Sequence, residues 1–226
     1  RIFSQGIGNV LHKPVNKSEL ITLSIKLMTG TEIFGIKNYL DGARDIKKIK
    51  ISSSNQIKKA VAMILQEITE WGFNINKKST LNLLLNEMAI NAVYHSHGFT
   101  EEKLKRMPVK LPENSFVDLY FGRSDHSYAI SITDYNGKLT KERVLESINE
   151  VIKQNMLLEK AFETGEDITE LISESGRGID LVRKLSGEYY FIMKKNFRTE
   201  IILIFKDSES QTSEDSSSLK IIDVKY

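Results

Sequence analysis

The 226-residue chain has no cysteine, which excludes disulfides and thiolate metal sites; packing and hydrogen bonds must hold the fold. Long apolar runs are also missing. The longest, such as IILIF at residues 201–205, are strand-sized, and no segment reaches the roughly 20 residues that cross a bilayer. Nothing resembles a secretory signal, so the default expectation is a cytoplasmic protein with no membrane contact. The chain begins without a methionine and mid-pattern, which reads as a piece of a longer protein. Aromatics are few near the basic cluster of Lys47, Lys48, Lys50, Lys58 and Lys59, so this cluster lacks stacking platforms for nucleic acid. A solvated face is the expected reading, and nucleic-acid binding ranks low.

What remains is ordinary for a globular protein, with 40% hydrophobic and 27% charged residues. A net charge of +2 conceals a basic half through Glu113 and an acidic remainder. The stretch Leu81 to Gly98 organises the chain. Leu81, Leu84, Leu85, Met88 and Ala92 recur at three- and four-residue steps, predicting a helix with one buried face. Glu87, Asn91 and His95 sit four apart beside that stripe. A carboxylate, a carboxamide and an imidazole in one row can act as base, metal ligand and phosphate contact. Equally, such a row is what a solvated helix face looks like.

Around this helix the pattern divides into segments. Val10 and Leu11 read as a strand end, Lys13-Pro14 as a loop, and Leu20, Leu23 and Leu27 as the apolar face of a helix starting near Asn16 or Ser18. Residues 31–45 read as a glycine-punctuated connector with an apolar face. Ile46 to Ile51 alternates as a strand, and a helix with Ile57, Val61, Ile64, Leu65 and Ile68 follows. Residues 99–114 hold two prolines and read as an excursion or loop, and FVDLYF and YAISIT form a hairpin. Residues 140–163 are helical, 165–175 an acidic mobile loop, and SGRGIDLVRKL a glycine turn opening a helix. YYFIM and TEIILIF close the domain as strands. The acidic, serine-rich tail should not fold alone, and LKIIDVKY can add as an edge strand.

Three pieces thus occur in order: E-x-x-x-N-x-x-x-H on a helix, D-x-x-G after a strand, and G-x-G opening a helix. Residues 46–206 resemble the GHKL ATPase superfamily, and within it the anti-sigma-factor serine kinases. The resemblance implies an α/β (α+β) two-layer sandwich, a mixed, mostly antiparallel sheet with helices on one face. It also implies ATP and Mg²⁺ as cofactors. Glu87 matches the general base, Asn91 the Mg²⁺ ligand, His95 a phosphate contact, Asp134 the carboxylate that accepts the adenine amino group, and Thr199 the threonine near adenine. Gly176, Arg177 and Gly178 match the phosphate turn, where backbone N–H groups and a helix N-terminus favour anions. Residues 1–30 resemble the tail of a response-regulator receiver domain, with Lys13 at the position of the lysine that meets the aspartyl phosphate and a loop often carrying a cis Pro14 bond. Residues 207–226 lie beyond both.

Where the family has D-x-G-x-G, this chain reads Asp134-Tyr135-Asn136-Gly137-Lys138. Gly137 lies between the customary glycine positions, and Lys138 puts bulk and charge near the expected nucleotide. Two readings stay open. In one, an ATP/Mg²⁺-binding response-regulator output domain phosphorylates a serine on a protein partner, a sigma factor or its antagonist by resemblance, with a homodimer as the resemblance's further expectation. In the other, a catalytically degenerate domain of the same fold only sequesters that partner.

Overall fold

Local capping chemistry sets the first helix. In α1 (Lys17–Thr29) the Asn16 Oδ1 accepts the N–H groups of Ser18 and Glu19, and Gly30 at φ 62 closes the other end with its N–H on Lys26 O. The computed structural model describes residues 5–164, 178, 182, 185, 186, 188–207 and 218–224. Before α1 lies the two-residue strand β1 (Asn9–Val10), and the Lys13–Pro14 bond is cis. After it, β2 (Arg44–Ile51) leads through a Ser53/Gln56 capping box into α2 (Ile57–Glu70), and α3 (Lys78–Tyr94) follows. Then come α4 (Thr100–Leu104), β3 (Val117–Arg123), β4 (Ser127–Asp134), α5 (Lys141–Thr164), β5 (Glu188–Lys194), β6 (Arg198–Lys206) and β7 (Leu219–Val224).

The seven strands form one mixed sheet in the order β1-β7-β5-β6-β4-β3-β2. Every pairing is antiparallel except β5 with β7. This is the α+β sheet with a helical layer that the sequence predicts. Its outermost strand β2 presents Lys47, Lys48 and Lys50 to solvent. Lysines on an exposed edge discourage pairing with a second chain, which gives the basic cluster a structural explanation.

One face of the sheet carries α2, α3 and α5. Ile64, Leu84, Leu85, Val144 and Ile148 pack there on Val117, Leu119, Ile130, Phe191 and Leu203. The other face is covered as well. Leu23 of α1 and Ile33, Ile36, Tyr39 and Leu40 of the connector bury Tyr190, Ile192, Ile202 and Ile204. Strands buried on both faces lose alternation, which is why YYFIM and IILIF read as continuous apolar runs while β2 alternates over residues 48–51.

Two sequence expectations change. Residues 99–114 are not all loop, because TEEKL forms α4 with Glu101 and Glu102 in its first turn. Its N-cap, Phe99, makes no side-chain cap, so no start signal announced it. The final strand is not the sheet edge either: β7 lies between β5 and β1. The expected acidic loop 165–175 lies outside the described residues, as does most of the serine-rich tail. Among the described residues no helix is long and apolar enough to cross a membrane.

Candidate functional site

Helix α3 buries Leu81, Leu84, Leu85, Met88, Ala89 and Val93 against the sheet and turns Glu87 and Asn91 half outward. The chain returns to this row far downstream. A methyl built on Gly178 would lie 3.8 Å from Asn91 Nδ2 and 3.9 Å from Glu87 Cβ, ordinary contact distances. Two pieces of the sequence pattern nearly ninety residues apart therefore face each other. Gly178, Val182 and Leu185 have helical backbone, and Val182 is buried in the main core. Gly176 and Arg177 lie outside the described residues.

The other end of Asn91 holds a residue that the motif reading passed over. Lys103 of α4 donates from Nζ to Asn91 Oδ1 at 2.7 Å and lies 3.0 Å from His95 Nε2. An ammonium only donates, so the carboxamide oxygen must face Lys103 and the amide nitrogen must face Gly178. By the same logic His95 Nε2 accepts, which places the imidazole proton on Nδ1. Burial holds His95 below its ordinary 6.5, helped by the cations of Lys103 and Arg143. Burial also lowers Lys103, while the Glu87 carboxylate opposes that shift. The row thus joins the Glu87 carboxylate to Lys103, and Arg143 beside His95 is ion-paired with Glu146 at 3.6 Å. The signal for Lys103 was present, a lysine eight residues beyond His95, but only α4 folds it back.

Asp134 and Thr199 are Cα partners across β4 and β6 at the end of the sheet. Asp134 Oδ1 accepts the N–H groups of Asn136 and Gly137, both at 3.0 Å. Burial raises the Asp134 carboxyl above the ordinary range. Those two N–H groups, the Thr199 hydroxyl and His97 each pull it back. The buried Thr199 Oγ1 has no hydrogen bond of normal geometry among the described residues, although it lies close enough to favour the carboxylate. An orphaned hydroxyl beside a carboxylate suits a ligand edge carrying both a donor and an acceptor. His97 sits at the end of α3 with Nδ1 3.1 Å from Val93 O and 3.3 Å from Ala92 O, so Nδ1 bears the proton.

Gly137 is held for the fold. Its φ is 55, and a Cβ there would lie 2.4 Å from Lys194 O and 2.7 Å from the Phe197 nitrogen. Its own carbonyl accepts from Asn196 N at 3.1 Å. The glycine thus locks the Asp134 turn to the β5–β6 turn, its N–H on the Asp134 carboxylate and its carbonyl on the Asn196 N–H. Lys138 is exposed, and its Nζ approaches Gly98 at the end of α3. Lys13 is exposed on the loop between β1 and α1.

Asn91, the expected Mg²⁺ ligand, gives its oxygen to Lys103. Among the described residues no group of three His, Asp or Glu side chains could hold a metal. With the Asn91 oxygen held by Lys103, the Glu87 carboxylate is the oxygen of the row left to a hard cation such as Mg²⁺. No protein-family model matches this chain, and no curated protein matches it.

Proposed function

We propose that this chain binds ATP in a GHKL-type site and transfers its terminal phosphoryl group to a serine of a protein partner. The observation that carries the reading is the approach of Gly178 to Asn91 and Glu87, which joins two pieces of the motif across the fold. The pairing of Asp134 with Thr199 across β4 and β6, in the sheet that α3 packs on, supports it. In this reading Asp134 and Thr199 read the adenine edge, and His95 with the cations around it faces the phosphates. Glu87 takes the serine hydroxyl proton as the serine oxygen bonds to phosphorus and ADP departs. A sigma factor or its antagonist is the partner that the resemblance suggests, with the receiver-like tail as the controlling element.

Titration calorimetry with ATP tests the binding. Micromolar affinity that falls about tenfold or more in Asp134→Asn is expected, from loss of a charged acceptor. Glu87→Gln should keep the affinity and lose about 10²-fold or more in transfer to a serine peptide. Absence of binding at millimolar ATP would end this reading. It would favour the second one, a partner-sequestering module, to which the Gly137 packing and the replaced family glycines already lean.

A further inference from the structure

We propose that Lys103 is the resident cation of this site, so that polyphosphate binding at Asn91 needs no divalent metal. The inference rests on the ATP-binding reading above and settles a point that reading leaves open. Lys103 Nζ occupies the position at Asn91 Oδ1, 2.7 Å away, that a metal ion would take. His95 Nε2 at 3.0 Å accepts a second N–H and leaves one donor for a phosphate oxygen. Lysine binds phosphate as a point charge, the service that a metal would otherwise supply.

The surroundings favour the ammonium over a dication. The Glu87 carboxylate bears on Lys103, and Arg143, itself ion-paired with Glu146 at 3.6 Å, bears on His95. A dication entering there would meet the Lys103 ammonium, with the Asn91 oxygen already taken. Mg²⁺ also gives up its waters reluctantly, whereas the Lys103 ammonium already stands at the Asn91 oxygen. A polyphosphate meets the opposite field, with the Lys103 ammonium attracting it.

Calorimetric titration of the 226-residue chain with ATP, in EDTA and in excess Mg²⁺, decides the matter when repeated on Lys103→Met. The wild type should bind equally in both buffers. Lys103→Met should bind about tenfold more weakly in EDTA and recover part of that loss with Mg²⁺. Lys103 lies on a short surface helix, so thermal unfolding of the variant should match the wild type and exclude misfolding as the cause. Wild-type binding that requires Mg²⁺ and is unaffected by Lys103→Met overturns the inference while the ATP reading stands. No binding by either protein in either buffer overturns both.

Discussion

Lys103 and Asn91, twelve residues apart and on different helices, meet through one hydrogen bond of 2.7 Å, and that bond orients the carboxamide that faces Gly178. The ammonium also leans on His95, which supplies a direct measurement. Burial holds His95 below 6.5, with Lys103 and Arg143 contributing. In Lys103→Met one of these cations is gone, so the imidazole should titrate closer to its ordinary value, read from its NMR shifts against pH. The sign for stability follows: a lowered folded value means stability is lost as pH falls below 6.5, and the variant should lose less. An unchanged titration would place Lys103 away from His95 in solution.

Gly137→Ala should destabilise the fold by about 2–4 kcal/mol, the sum of a left-handed backbone penalty and overpacking against backbone atoms. The Lys194 carbonyl, 2.4 Å from the added methyl, belongs to a hairpin turn and cannot swing aside as a side chain would. Urea midpoints measure this. A neutral result would show that the turn between Asp134 and the hairpin is looser than its hydrogen bond with Asn196 implies.

Glu200 binds the connector to the back of the sheet. Fully buried, its carboxylate accepts from Gly35 N at 2.8 Å, from Ser131 Oγ at 2.8 Å and from Arg198 Nη2 at 3.0 Å. Glu200→Ala removes one partner of a buried charged network and should cost about 3–5 kcal/mol. Hydrogen exchange should show the Gly35 amide deprotected first. Slow exchange there in the variant would mean that apolar packing alone holds the connector.

Lys220 is fully buried on β7, paired with Glu19 of α1 and 4.9 Å from the Tyr190 ring centre. Burial pushes its ammonium down to about 7. The folded chain then holds fewer protons than the unfolded one between about 7 and 10.5, so stability rises with pH across that window. Lys220→Met should flatten that slope, seen as urea midpoints that change less with pH than those of the wild type. Parallel slopes would show that Glu19 keeps the lysine at its ordinary value.

Much of this architecture was legible because periodicity and caps act locally. The three- and four-residue steps of Leu81, Leu84, Leu85 and Met88 dictate a helix with one buried face, and Asn16 and Gly30 mark both ends of α1. The alternation of IKKIKI dictates a strand covered on one side. The hairpins follow from their turns, and the absence of cysteine leaves packing and hydrogen bonds to hold the fold. What the tertiary structure decided is where separate segments meet. Nothing in local pattern says that TEEKL folds back so that Lys103 reaches Asn91, that Gly178 crosses over α3, or that β1 extends the sheet beyond β7. Those contacts depend on three-dimensional distance rather than sequence spacing. A lysine side chain long enough to reach a carboxamide leaves no periodic trace in the chain that carries it.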